Sequence, residues 1–77
     1  MNLSVVNMKQ TGQNIAMLRE KRGISVRQLQ KMMGFATPQT IYKWQHGDSL
    51  PTVDNLVLLS VIFAVPIEAI LAIGMDT

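Results

Sequence analysis

Apolar residues recur along this chain at helical spacing, and short polar or glycine-containing segments separate the groups. A period of about 3.6 residues is typical of helices that bury one face. No alternating run of β-branched residues predicts a strand. The predicted inward stripes are Ile15 and Leu18 in a first helix, Val26, Leu29, Met32 and Met33 in a second, Ile41 and Trp44 in a third, and Leu56, Leu59, Ile62 and Phe63 in a fourth.

Capping residues set the limits of these predicted helices, because side-chain oxygens satisfy free N–H groups at the start and glycine suits the end. The spacing predicts an all-α, compact five-helix domain over residues 11–74, after a partly flexible tail of residues 1–10. The first predicted helix covers residues 11–22, with Thr11 as N-cap and Gly23 after its end, and the second covers residues 26–33 between Ser25 and Gly34. The third has Thr37 as N-cap and Pro38 at its first position, and it ends at Gly47. The fourth covers residues 53–64 after Thr52, and a short fifth runs from Pro66 to Gly74.

Composition removes several classes of function. The chain has 77 residues, of which 48% are hydrophobic, with one histidine and no cysteine. This favours one packed domain and gives neither a disulfide framework nor a metal site. There is no Ser-His-Asp set and no glycine-rich phosphate loop, so we expect neither an enzyme nor a cofactor. The first ten residues do not resemble a signal peptide, and the expected compartment is the cytoplasm.

Charge is distributed unevenly along the chain. Residues 1–47 contain all seven basic residues and one acidic residue, a net charge of +6, whereas residues 48–77 contain four acidic residues and no basic one. Such a division suggests one surface for a polyanion and a second surface for another partner. The alternative is that these charges only solvate helices.

The third predicted helix presents a polar face opposite its apolar one. At 100° per residue, Ile41 and Trp44 point inward together, and Gln39 and Lys43 lie nearly opposite them. Glutamine can bond adenine through two hydrogen bonds, lysine can reach guanine or a phosphate, and Thr40 can contact a base edge or a thymine methyl. An exposed glutamine or lysine is more often plain soluble surface, so the joint arrangement with the preceding basic helix carries the DNA-binding interpretation.

The segment GISVRQLQKMMGFATPQTIYKWQHG resembles the helix-turn-helix of Cro and lambda-repressor-type regulators, and LPTVDNLVLLSVIFAVPIEAIL resembles the fourth and fifth helices of that family. The resemblance covers roughly residues 11–72, with the helix-turn-helix at about residues 25–46. It implies that the third helix enters the DNA major groove. By position it implies base contacts from Gln39, Thr40 and Lys43, and backbone or supporting contacts from Val26, Arg27, Thr37, Pro38, Tyr42, His46, Ser49 and Arg19.

Three positions depart from the family pattern. Gln30 replaces a usual small alanine, and the turn from Gly34 to Thr37 is one residue longer than usual. We expect the longer turn to make room for the larger side chain. Arg19 would meet Gln45 where the family often has a glutamate, so a neutral hydrogen bond would replace an ion pair and Arg19 could be free for a phosphate.

Residues 56–74 are strongly apolar, which raises the alternative of a transmembrane segment. Pro66 and Glu68 interrupt the run, and each part is shorter than the about 20 residues that a span needs. We therefore expect one side to seal the core and the other side, with Val57, Val61 and the region from Ile67 to Ile73, to remain exposed as a protein contact. A two-fold homodimer would place two third helices about 34 Å apart on a pseudo-palindromic operator.

The sequence thus predicts a sequence-specific regulator of transcription that binds double-stranded DNA and represses by covering a promoter. The competing hypothesis is a protein-interaction module, such as an antitoxin that holds a toxin through residues 56–74.

Overall fold

A computed structural model describes residues 5–74 of the chain. Predicted features that fall on residues 1–4 and 75–77 lie outside this part. Two short strands bring the ends of the described chain together, and four α-helices lie between them. The elements are β1 (Val5–Val6), α1 (Met8–Lys21), α2 (Val26–Met33), α3 (Gln39–His46), α4 (Val53–Phe63), a 3₁₀ turn (Ile67–Ala69) and β2 (Ile73–Gly74).

Helix limits follow the local capping signals where side chains supply them. Ser25 begins α2 with a capping box, in which its hydroxyl accepts from the Gln28 N–H and the Gln28 side chain accepts from the Ser25 N–H. Thr52 caps α4 in the predicted way, accepting from the Asn55 N–H at 3.3 Å. The limits predicted for these two helices are confirmed to within one residue.

The first helix begins earlier than predicted. Asn7, not Thr11, is the N-cap of α1, and its side chain accepts from the Gln10 N–H at 2.9 Å. Thr11 lies fully buried one turn into the helix, where its hydroxyl accepts the Ala72 N–H at 3.0 Å. The sequence prediction was wrong because asparagine and threonine are both good N-cap residues. Ala72, in the C-terminal segment, bonds to the Asn7 N–H and to the Thr11 hydroxyl, and these contacts place Thr11 inside the helix.

The predicted tail over residues 1–10 is ordered into elements from Val5 onward. β1 pairs antiparallel with β2, with Val6 opposite Ile73, and the Asn7 N–H donates to the Ala72 carbonyl at 2.7 Å. These contacts join the two ends of residues 5–74. The sequence analysis, which used local patterns, did not predict this pairing.

The predicted fifth helix is also wrong, so the all-α, five-helix description needs correction to four α-helices and a two-stranded ribbon within residues 5–74. After the 3₁₀ turn, the Ile70 side chain is fully buried and its carbonyl accepts from Asn14 at 3.0 Å. This anchor directs residues 71–74 away from a helical path and toward pairing with β1.

The core draws on all four helices and on the segment after α4. Met32 was predicted to point inward but is 52% exposed, because α2 turns Leu29 and Met33 to the core. Within the region predicted to be exposed, Ile70 is fully buried, whereas Val57 and Val61 are exposed as expected. The buried apolar residues are Ile15, Leu18, Leu29, Met33, Ile41, Trp44, Leu56, Leu59, Phe63 and Ile70.

Candidate nucleic-acid interface

The inward face of α3 fixes the direction of its outward face. Ile41 and Trp44 are 0% and 2% exposed, as the helical wheel predicted. The Trp44 ring also packs edge-on against Phe35, with ring centroids 5.7 Å apart and planes at 69°. With these side chains buried, α3 has little freedom to rotate about its axis.

The outward face of α3 is a row of exposed polar side chains, namely Gln39, Thr40 and Lys43. Within residues 5–74 none of these three side chains makes a hydrogen bond to another group. Their donors and acceptors are directed to solvent. We call these three residues the polar ridge.

Close contact with α1 fixes the position of α3. A methyl group at Gly12 would stand 2.8 Å from the Gln45 carbonyl oxygen and nearer still to that of Trp44. At the far end of α3, Gly47 has a φ of +79°, and a methyl there would stand 2.8 Å from the Lys9 Cα. Both glycines therefore allow the two backbones to approach in a way that any larger residue would prevent.

Arg19 makes two hydrogen bonds that join three parts of the chain. Its Nε donates to Gln45 Oε1 at 3.0 Å, which confirms the predicted hydrogen bond to an uncharged acceptor in place of an ion pair, and its Nη1 donates to the Ile24 carbonyl at 2.8 Å. The side chain is only 14% exposed. The expectation that Arg19 would be free for a phosphate is therefore not met. This residue links α1, the following loop and α3, which is a supporting role.

The turn between α2 and α3 is held by the side chain that departs from the family pattern. Gln30 Nε2 donates to the Phe35 carbonyl at 3.2 Å. Gly34 ends α2 with a φ of +74°. The Gln30 side chain thus contacts the turn directly, whereas a link between the larger side chain and the longer turn stays a prediction.

Pro38, not Thr37, occupies the N-cap position of α3, which begins at Gln39. No side chain caps this helix. Thr37 is exposed at the start of the polar ridge rather than holding the helix terminus. The prediction of a threonine cap with proline at the first position was therefore displaced by one residue.

A cleft opens between α2 and α3, next to the polar ridge. It encloses about 390 Å³. Four of its residues were predicted site residues; Gln30 and Lys31 were not predicted. A signal for Lys31 was present, since it lies four positions after Arg27 on the same helical face. The cleft is lined by Val26, Arg27, Gln30, Lys31, Pro38 and Tyr42.

The remaining predicted residues lie near the end of α3. His46 is exposed and stacks on Tyr42, with ring centroids 6.5 Å apart and planes 21° from parallel. Ser49 is half-buried two residues after Gly47. The structure therefore brings Tyr42 and His46 together, and Ser49 follows in the loop after α3.

Positive charge on this side of the molecule is not neutralised by ion pairs. The single ion pair within residues 5–74 joins Arg19 to Glu20 at 4.0 Å. Arg27, Lys31 and Lys43 are exposed and carry charges that are available to an anionic partner.

Among the described residues no group of three acidic, histidine or cysteine side chains could hold a metal ion. No helix in residues 5–74 is long and apolar enough to cross a bilayer.

The family model described as Helix-turn-helix, HTH_3, matches residues 15–70 of the chain. The chain belongs to this Cro/C1-type helix-turn-helix family. The resemblance inferred from the sequence is thereby confirmed, and the matched residues include both α2 and α3. No curated protein matched the chain by sequence.

Solved structures with the same helix-turn-helix fold share little sequence with this chain. The S. venezulae BldD DNA-binding domain has 22% identity and a TM-score of 0.72, covering 86% of this chain and 97% of that one. The restriction-modification controller protein C.AhdI from Aeromonas hydrophila has 17% identity and a TM-score of 0.72, covering 82% and 94%. The clp gene regulator ClgR from C. glutamicum has 12% identity and a TM-score of 0.72, covering 86% and 84%. At these identities the likeness establishes the fold alone.

Proposed function

We propose that this helix-turn-helix protein is a regulator of transcription that binds double-stranded DNA in a sequence-specific way. One observation carries the proposal: Gln39, Thr40 and Lys43 are exposed and make no internal hydrogen bond, on a helix anchored by buried Ile41 and Trp44. Base edges in the major groove are read by side chains of this type, held rigidly on a helix. The family and the DNA-binding neighbours support the same proposal.

Affinity and selectivity come from two overlapping sets of residues, with Lys43 belonging to both. Arg27, Lys31 and Lys43 are exposed and outside ion pairs, so they supply attraction to phosphates and make binding fall with salt. The polar ridge supplies the choice of sequence, with each good two-bond contact to a base discriminating by about 1–3 kcal/mol. His46, Ser49 and the exposed Thr37 are proposed to contact or support the DNA backbone.

A row of valines on α4 supports assembly as a homodimer. Val53, Val57 and Val61 are spaced four residues apart and are 74%, 50% and 71% exposed. Positions four apart share a helical face, so these side chains form a continuous apolar strip. A two-fold dimer through this strip would present two α3 helices to half-sites about 34 Å apart. Bound across a promoter, such a dimer would repress by occlusion.

Selection of bound duplexes from a random pool tests the proposal. The wild-type protein should enrich a pseudo-palindromic site, and Gln39→Ala should lose preference at one or two base pairs in each half-site. Gln13→Ala, a matched change on the exposed face of α1, should enrich the wild-type site. An unchanged preference in Gln39→Ala would remove this residue as a base reader, and no enrichment by the wild type would contradict DNA recognition.

The exposed valines also allow the second candidate function, a module that holds another protein in the manner of an antitoxin. Sedimentation of the pure protein separates the two. A dimer whose dissociation constant lies in the micromolar range or below supports self-association. A monomer that enriches no DNA sequence would favour the second candidate.

A further inference from the structure

The cleft between α2 and α3 differs in chemistry from the polar ridge beside it. Pro38 at the N-cap of α3 and Tyr42 within α3 are one helical turn apart, as are Gln39 and Lys43, so the two rows are adjacent on the helix surface. Val26 lies across the cleft at the start of α2. An isopropyl group, a proline ring and a phenol ring thus form an apolar lining within a face that is otherwise polar and basic.

The lining contains cations and no carboxylate. Arg27 and Lys31 lie on the α2 side, with the Gln30 amide, whose nitrogen is already engaged by the Phe35 carbonyl. These cations attract a polyanion to the cleft, while the apolar side chains of Val26, Pro38 and Tyr42 disfavour close contact with a strongly hydrated group. The occupant should carry negative charge next to a small apolar group.

In the major groove one base carries an apolar group on its exposed edge, and that group is the 5-methyl of thymine. We propose that the Val26–Pro38–Tyr42 lining holds the 5-methyl group of one thymine in each half-site, with Arg27 and Lys31 on the flanking phosphates. This inference rests on the proposed function and extends it, because it makes the cleft a second specificity element beside the polar ridge.

The proposed methyl contact predicts a preference for thymine over cytosine that does not come from hydrogen bonding. Cytosine at the same position leaves the lining exposed to water and places an amino donor against apolar side chains. Deoxyuridine keeps every hydrogen-bonding group of thymidine and lacks only the methyl. Replacing one by the other therefore isolates the proposed contact.

The experiment uses the duplex enriched by selection, with each thymidine replaced in turn by deoxyuridine, and measures the dissociation constant of the full chain. At one thymine in each half-site we expect binding to weaken about fourfold, the effect of one buried methyl group. A 5-methylcytosine at that position should bind more tightly than cytosine.

Protein variants assign the methyl contact to the cleft. Val26→Ala and, separately, Pro38→Ala should reduce the deoxyuridine effect to less than about twofold, since less apolar surface meets the methyl. Arg27→Gln is the matched control: it should weaken the thymidine and deoxyuridine duplexes equally and lower the salt dependence. Circular dichroism and thermal melting verify that each variant folds.

Three results would overturn the inference. Specific binding to the enriched site with no deoxyuridine-sensitive position would leave DNA recognition standing and refute the methyl contact. A sensitive position that persists in both cleft variants and disappears in Thr40→Ser would assign the methyl to the polar ridge instead. Failure of the wild type to enrich any duplex would refute the proposed function together with this inference.

Discussion

Gly12→Ala should destabilise the fold because Gly12 lies against α3, although helix propensity alone predicts that alanine would stabilise it. Gly12 lies inside α1, where alanine is ordinarily more favourable than glycine by about 1 kcal/mol. A methyl at this position would be 2.8 Å from the Gln45 carbonyl oxygen, whereas ordinary contact begins at 3.4 Å. The Gln45 oxygen and the still closer Trp44 carbonyl oxygen both belong to the backbone, so no side-chain rotation relieves the clash. The Trp44 contact requires α1 and α3 to separate by more than the 0.6 Å that the Gln45 contact alone demands.

Overpacking of this kind costs about 1–3 kcal/mol, and a clash with two backbone carbonyls belongs at the upper end of that range. After the gain in propensity, we expect Gly12→Ala to lower the free energy of unfolding by about 1–2 kcal/mol. In a domain of this size the melting temperature should fall by about 4–8 °C for each kcal/mol. Because α3 is displaced, affinity for the enriched duplex should fall as well.

Denaturant titration and thermal melting measure the change, with Gln13→Ala as the control for propensity on the exposed face of the same helix. The control should be neutral or slightly stabilising. A Gly12→Ala protein that is more stable than wild type and binds DNA unchanged would refute the claim that α1 holds α3 by backbone contact.

Three further predictions concern hydrogen bonding and assembly. Gln45→Glu should stabilise the fold by about 1 kcal/mol at low salt, because a carboxylate makes a stronger bond to the nearly buried Arg19; equal denaturation midpoints would contradict this. Thr11→Val should cost about 1–3 kcal/mol and speed hydrogen exchange at the Ala72 amide, which would lose its acceptor; unaltered exchange would show that the bond is not a stabilising one. Val61→Asp should shift the protein to a monomer in sedimentation while circular dichroism shows that it remains folded, and a persistent dimer would exclude the α4 strip as the interface.

Local signals in the sequence were sufficient for the helix-turn-helix itself. Ser25 and Gly34 limit α2 through a capping box and a left-handed residue, which depend only on near neighbours. The burial of Ile41 and Trp44 follows from their spacing, and their burial places Gln39 and Lys43 outside. The exposed polar ridge was therefore predictable, whereas its contacts with DNA remain a prediction.

Features that depend on distant parts of the chain were not predictable in this way. The β1–β2 ribbon has two residues in each strand and relies on Asn7 and Thr11 bonding to Ala72. A segment this short carries no periodic pattern. Likewise, Gly12 resembles any helical glycine until the carbonyl of Trp44 is placed beside it. For Lys31 the helical spacing from Arg27 was a usable signal, but its place in the cleft depends on the packing of α2 against α3.

The most direct test is an NMR titration in which the enriched duplex is added to isotope-labelled protein, and the backbone amide and glutamine side-chain amide resonances are followed. The Gln39 amide, exposed on the polar ridge, should shift most, while Gln28 in the capping box and Gln45 on Arg19 should shift little. Shifts confined to Val53, Val57 and Val61 on α4, with the Gln39 amide unmoved at saturation, would contradict the claim that the outward face of α3 meets DNA.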